Sequence, residues 1–128
     1  MREDKIVVRC KDKKIMKGKV HDFSATKVFF SMRLLSGERV KIKIEDVKAI
    51  FIVKNYEGNK DYKYSYKDVL LWGGMKIRIN FKDNEVMIGY IPYHINSDRG
   101  FFVTPADLNG NNKNVFVIKS ATREISYI

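Results

Sequence analysis

The chain has 128 residues and a mass of 15.0 kDa, with 25 Lys and Arg against 15 Asp and Glu, giving a formal net charge of +10. A hydrophobic fraction of 45% beside 31% charged residues is typical of a globular protein and excludes a disordered tail. The longest apolar run, Ala49 to Val53, has five residues, whereas a membrane span needs about 20. We therefore expect a cytoplasmic protein with no membrane partner.

Chemistry-bearing residues are scarce in this sequence. The single Cys10 excludes an intrachain disulfide, and with only His21 and His94 beside it no tetrahedral zinc set can form from Cys and His. No nucleophile elbow, phosphate-cradling glycine loop or paired-histidine motif occurs. We expect a protein that is not an enzyme and that has no catalytic residue, metal or cofactor.

Alternation of side-chain type predicts β-strands from the N-terminus onward. Residues 6–11 and residues 40–44 alternate with a period of two, as expected when one face of a strand is buried and the other is wet. Turn-forming residues, Asp12-Lys13 and Ser36-Gly37-Glu38, separate these segments. The pattern predicts short strands joined by hairpins.

An internal repeat organises the rest of the chain. Lys5–Asp12 aligns with Lys76–Asp83 at an offset of 71, and the register continues from Ile15–Val20 to Val86–Ile91. Six positions are identical along this stretch. A repeat of this kind indicates that one structural unit occurs twice.

The repeat continues downstream with larger offsets. Phe29-Phe30 matches Phe101-Phe102 at 72, and three later apolar positions match at 75: Val40, Ile42 and Ile50 with Val115, Val117 and Ile125. We therefore predict an all-β protein with two copies of a small five-stranded barrel, residues 1–53 and residues 74–128. We predict that residues 54–73 form a linker strand between them. Gly18 and Gly89 fall inside the second strand of each copy, where a glycine commonly marks the bend that curls a short sheet.

Both copies resemble the first signature of Sm-like barrels, in which a turn is followed by an apolar residue, a glycine and another apolar residue. The matching residues are Asp12, Met16, Gly18, Val20 and Phe23, and again Asp83, Met87, Gly89 and Ile91. The resemblance implies an Sm-like or SH3-like barrel for each copy. The following loops, residues 24–27 and 96–99, lack the Asp and Asn that contact RNA in Sm-like proteins, so what carries over is the fold.

Two further resemblances concern function and organisation. Asp22-Phe23-Ser24 resembles the Asp-x-Ser-x-x-Gly turn of PilZ domains, although Lys27 replaces the Gly and no Arg-x-x-x-Arg arm precedes it. This likeness implies a degenerate cyclic dinucleotide sensor. Nearly the whole chain is similar to an uncharacterised bacterial family of two-barrel proteins, through Asp46–Asn59, Gly100–Asp107 and Asn111-Asn112. That family implies the two-unit organisation and no activity.

Positive charge is concentrated in the first copy, where residues 1–53 hold 14 basic and 7 acidic residues. Residues 74–128 hold 7 and 5. On adjacent strands the outward cations would suit phosphates, and scattered around the unit they would be a solvated coat. The candidates for nucleic-acid binding are Arg9, Lys11, Lys17, Lys19, Arg39, Lys41 and Lys43.

Three tyrosines add an aromatic candidate. Tyr62, Tyr64 and Tyr66 alternate, so an extended strand would project all three from one face, where they could stack bases. The alternative is that they pack the linker strand over the two copies.

The sequence therefore favours a binding module that associates electrostatically with nucleic acid, RNA more than duplex DNA. A protein adaptor is the alternative class, because Phe101-Phe102-Val103 and Ser126-Tyr127-Ile128 could supply an edge for a protein partner or for self-association. The cyclic dinucleotide sensor is the third.

Overall fold

The computed structural model describes residues 1–24, 26–58, 74–92 and 99–128. These residues form ten β-strands and two short 3₁₀ turns, at Ile44–Asp46 and Lys119–Ala121. The strands are β1 Lys5–Cys10, β2 Ile15–Val20, β3 Phe29–Leu34, β4 Arg39–Lys43, β5 Val47–Val53, β6 Met75–Phe81, β7 Val86–Ile91, β8 Gly100–Pro105, β9 Asn112–Ile118 and β10 Thr122–Tyr127. Over the described ranges, no helix is long and apolar enough to cross a membrane.

All ten strands belong to one antiparallel sheet with the order β10-β6-β7-β8-β9-β5-β1-β2-β3-β4. The all-β prediction is confirmed. Two tandem five-stranded barrels were expected, whereas the structure joins the strands in one open sheet whose edges are β4 and β10. The link is the pairing of β5 with β9. Most of the predicted linker, residues 59–73, lies outside the described residues.

The sequence of β5 explains this link. Its run VKAIFIV is buried along almost its whole length, so both of its faces need apolar cover. β1 covers one edge of β5 with Val8 opposite Ile50, and β9 covers the other with Phe116 opposite Ile50. A strand that is apolar on both faces belongs in the interior of a sheet, which is where β5 lies.

Two hydrophobic cores lie on the two faces of this central region. The first core contains Ile6, Val8, Cys10, Met16, Val20, Phe30, Met32, Ile42, Ile44, Val47, Ile50, Phe116 and Ile118. The second core contains Val7, Ala49, Phe51, Val53, Ile77, Ile79, Phe81, Ile91, Phe101, Val103, Val115, Val117 and Ala121. Each core therefore includes residues from both parts of the chain. The alternation of residues 6–11 predicts that Val7 shares the wet face of β1 with Arg9, and this is wrong for Val7 because the second core covers it.

The strands of the two parts correspond one to one. Gly18 pairs with Leu34 and Gly89 pairs with Pro105, so the offset of 71 continues into β3 and β8. The offset of 72 proposed for Phe29-Phe30 is therefore wrong by one residue. A shift of one residue would turn every side chain of β8 to the opposite face of the sheet, and buried Phe30 in fact corresponds to buried Phe101.

The turns and bulges correspond as well. Lys13 and Asn84 both adopt a left-handed backbone, with φ of 74° and 71°. The amide after each turn donates to an Asp side chain, Lys14 to Asp12 at 2.9 Å and Glu85 to Asp83 at 3.0 Å. The last strand of each part carries one extra residue opposite the first strand. In β5 it is Lys48, between the partners of Arg9 and Cys10, and in β10 it is Arg123, between Thr122 and Glu124.

Gly18 and Gly89 occupy equivalent, crowded positions. A Cβ at Gly18 would collide with the carbonyl oxygen of Arg33, and a Cβ at Gly89 would lie 2.6 Å from that of Thr104. Each glycine thus lets the second strand of its part approach the backbone of the third more closely than a side chain would allow.

We predict that Gly18→Ala and Gly89→Ala each lower the free energy of unfolding by about 1 to 3 kcal/mol, because backbone must shift to admit the methyl group. Chemical denaturation measures this. Ser31→Ala is the matched control, because Ser31 is an exposed strand residue, and it should change stability by less than about 0.5 kcal/mol. Unchanged stability of both glycine variants would contradict the close approach.

Candidate nucleic-acid interface

Five cations lie together on the outward face of β2, β3 and β4, which we call the basic face: Lys19, Arg33, Arg39, Lys41 and Lys43. All five are exposed, and the residues that alternate with them, such as Met32 and Ile42, belong to the first core. Because side chains alternate across a strand, these cations point away from that core into solvent.

The register brings three of these cations into one row. Lys19 lies opposite Arg33, and Arg33 lies opposite Arg39. Directly opposed residues in antiparallel strands have Cβ atoms about 5 Å apart, and like charges at that distance destabilise the sheet. A bound anion would remove this repulsion, so the row is suited to a polyanion.

No ion pair neutralises the basic face among the residues that the structure describes. In the described ranges, ion pairs join the N-terminal amine to Asp4 and Lys48 to Asp83 and Glu85, all of them outside the basic face. The ammonium group of Lys19 donates to the Glu3 carbonyl at 3.4 Å, which leaves its charge uncompensated. The face therefore presents net positive charge to its surroundings.

The two ends of the basic face differ in chemistry. At one end Phe29 is 42% exposed, pairs with Lys43 and has the Lys41 ammonium group 4.8 Å from its ring centroid. An exposed aromatic ring between two cations can stack a base while the cations contact phosphates.

The other end is an arginine groove of about 350 Å³, lined by Arg2, His21, Asp22, Ser31, Met32, Arg33 and Arg39. The Asp22 side chain accepts a hydrogen bond from the backbone N–H of Ser31 at 2.7 Å. Arginine forks bind phosphate oxygens in pairs, which lysine does not do.

The structure places the predicted cations in three locations. Lys19, Arg39, Lys41 and Lys43 share the basic face, but Lys11 lies beyond the end of β1 and donates to Ser120 Oγ at 2.6 Å. Arg9 and Lys17 line a separate cleft. Tyr62, Tyr64 and Tyr66 lie outside the described residues.

Sequence reasoning missed Arg33, the central cation of the row. Arg33 lies on β3, where the offset of 72 was wrong by one residue, so the repeat did not show which side chains of this strand face outward. The alternation Phe30, Met32, Leu34 against Ser31 and Arg33 was the signal that could have found it.

The cleft that contains Arg9 and Lys17 has a volume of about 560 Å³ and lies between β1–β2 and β7. Its cations are engaged with the protein: the Arg9 guanidinium lies 5.4 Å from the ring centroid of Phe51, and Lys17 donates to the Tyr56 carbonyl at 2.7 Å. The Tyr56 hydroxyl donates to the Gly18 carbonyl at 3.1 Å, and burial raises the pKa of Tyr56. These contacts leave the basic face as the better site for an anion.

Lys48 is a second residue that the sequence did not single out. It is the extra residue of the β5 bulge, is 5% exposed, and reaches the turn between β6 and β7. Its ammonium group lies 2.7 Å from Asp83 and 3.1 Å from Glu85, and 4.7 Å from the centroid of the Phe81 ring. Bulges commonly re-aim a side chain in this way. The triad links the two parts of the chain, and the hydrogen bond from Lys48 lowers the pKa of Asp83.

The other titratable candidates are structural or isolated. Cys10 is buried in the first core, and burial raises the pKa of its thiol. Within the described ranges, no three of His, Cys, Asp and Glu lie close enough together to hold a metal ion. Phe101 and Val103, proposed as an adaptor edge, are in the second core, whereas Tyr127 and Ile128 are exposed on the edge strand and beyond it.

The fold and this site define an all-β protein with a charged, uncompensated sheet face. The chain belongs to a family of unknown function (DUF6982), whose profile matches residues 2–128. No Sm-like, SH3-like or PilZ family is matched. Neither a curated protein nor a solved structure matches the chain.

We predict that the Lys48 triad makes stability sensitive to acid. The folded pKa of Asp83 is depressed, so its contribution is present above the unfolded pKa and is lost as pH falls through the folded pKa. Wild type and Asp83→Asn should differ in urea midpoint at pH 7, and the difference should shrink progressively as the pH falls below about 4. A difference that stayed constant down to pH 3 would contradict the pairing of Asp83 with Lys48.

Proposed function

We propose that this protein is a non-enzymatic module that binds single-stranded RNA through the basic face. The observation that carries the proposal is the cross-strand row of Lys19, Arg33 and Arg39, in which opposed cations have no carboxylate partner in the described structure. A protein that needed only solubility would gain nothing from placing cations directly opposite one another, because each such pair costs stability.

The geometry favours contact with the sugar-phosphate backbone over reading of bases. Lysine and arginine side chains on a sheet face neutralise phosphates and carry no sequence information by themselves. Phe29 offers one stacking surface, which suits the unpaired bases of a single strand better than a closed duplex. The proposal is therefore salt-sensitive binding with little sequence preference.

We further infer that residues 1–53 and 74–128 are tandem copies of one small five-stranded unit of the Sm-like or SH3-like kind. Support comes from the shared strand order, turns, bulges and glycines described above. The positions equivalent to the basic face in the second copy are Tyr90, Thr104, Asn114, Phe116 and Ile118. None of these is a cation, so the proposed function belongs to the first copy alone.

A second candidate ligand is a cyclic dinucleotide held in the arginine groove. Arg2, Arg33 and Arg39 line the same groove as Asp22, the residue through which the turn resembles PilZ domains. The sequence lacks an arginine arm before that turn, and the groove supplies arginines from β3 and β4 instead.

RNA binding is tested by fluorescence anisotropy with a labelled oligouridylate at several salt concentrations. We expect binding near 50 mM salt, and we expect Arg33→Gln/Arg39→Gln/Lys41→Gln to weaken it by about tenfold or more and to reduce the salt slope by about 2. These residues are exposed, so the variant should keep its fold.

The matched control is Lys14→Gln/Lys82→Gln/Lys113→Gln, which removes the same charge from exposed positions away from the basic face. It should weaken binding by less than about threefold. If the two variants lost RNA affinity equally, binding would depend on total charge and not on the basic face. A wild-type protein that bound no RNA at low salt would refute the function.

The cyclic dinucleotide candidate predicts a rise in melting temperature with millimolar ligand, by mass action. Arg2→Gln should abolish that rise while leaving RNA binding nearly unchanged, because Arg2 lies in the groove and outside the cation row. An unchanged melting curve for the wild type at millimolar ligand would exclude this candidate.

A further inference from the structure

The two edge strands of the sheet correspond to the two strands that pair at its centre. β10 is the last strand of the second copy as β5 is of the first, and β4 corresponds to β9. Pairing β10 of one chain with β4 of another would therefore repeat the β5·β9 junction. Such a contact uses different surfaces on the two partners, and it would extend into rings or filaments.

The register of the internal junction defines the residues that would meet. Ala49 pairs with Val117 and Ile50 with Phe116. Through the offset of 75, these pairs become Glu124 with Ile42 and Ile125 with Lys41. In the described sheet each edge strand pairs with only one neighbouring strand, so the outer backbone groups of β4 and β10 have no strand partner there.

The side chains of β4 make this pairing between chains unfavourable. At the internal junction, Phe116 and Ile118 of β9 are 2% and 0% exposed and belong to the first core, where Phe23 lies edge-on to Phe116 at 4.9 Å. Lys41 and Lys43 stand at the equivalent positions of β4. A repeated junction would press both ammonium groups onto the second core, formed there by apolar residues such as Ile77, Ile79 and Phe81.

Nothing at the repeated junction would compensate these charges. Glu124 would lie opposite Ile42 and so on the other face of the strand, because side chains alternate. Burial of two unpaired ammonium groups costs more than the hydrogen bonds of one added strand return. Lysine on an edge strand is also a common means of preventing sheet-to-sheet association.

We propose that Lys41 and Lys43 prevent β10 of a second copy of this chain from pairing with β4. The sheet of ten strands therefore does not continue from one chain into the next. The inference rests on the tandem repeat and not on RNA binding, so failure of either proposal leaves the other intact. It assigns these two lysines a role in keeping the chain monomeric.

Sedimentation equilibrium over a range of protein concentrations tests the proposal. Wild type should sediment at the monomer mass of 15.0 kDa throughout. Lys41→Phe/Lys43→Ile restores the residues of β9 and should give a mass that increases with concentration. Adding Tyr127→Lys/Ile128→Lys should return it to the monomer mass, because these exposed residues of the β10 end would lie at the new contact.

Controls separate this result from general stickiness. Lys14→Phe/Lys82→Ile adds the same side chains at exposed turns and should stay monomeric. The single variants Lys41→Val and Lys43→Val, with a side chain favourable in strands, replace the double variant if it does not fold. Assembly of the wild type, a monomeric folded β4 variant, or assembly that ignores the β10 lysines would overturn the proposal.

Discussion

The pairing of β5 with β9 is the interaction on which the rest of this structure depends. β5 is apolar on both faces, so a free β5 edge would expose a flat hydrophobic strand. β9 closes that edge and contributes Phe116 and Ile118 to the first core, while β5 contributes Ala49, Phe51 and Val53 to the second. Neither core is complete without the other part of the chain, and the Lys48 triad fastens the two parts beside the same junction.

The same pairing determines where positive charge can lie. The outward face of β9 is apolar because it packs on the first core, whereas the equivalent face of β4 is exposed and carries Lys41 and Lys43. Among the described residues, the basic face therefore lies in the first part of the chain. The corresponding strands of the two parts therefore present different surfaces, and the proposals on RNA binding and on monomeric state both follow from this difference.

Much of the fold could be predicted from the sequence, and the reasons for the failures are physical. Period-two alternation and the repeat located the strands, and identical residues such as Gly18 and Gly89 marked equivalent positions. Alternation describes the faces of one strand and not which strands are neighbours, so the β5·β9 junction and the burial of Val7 were not predictable. Lys48 escaped notice because only a bulge turns a lysine within an apolar run toward carboxylates, and Arg33 because one misplaced residue reverses the faces of a strand.

Amide hydrogen exchange along β5 and β9 tests the central claim most directly. If the junction holds the two copies in one cooperative unit, the protected amides of Val47–Val53 and Asn112–Ile118 exchange only through global unfolding, with the same free energy as the slowest amides of β1 and β6. Two separate unfolding free energies for the two copies, or rapid exchange at the β5 amides that face β9, would contradict the account.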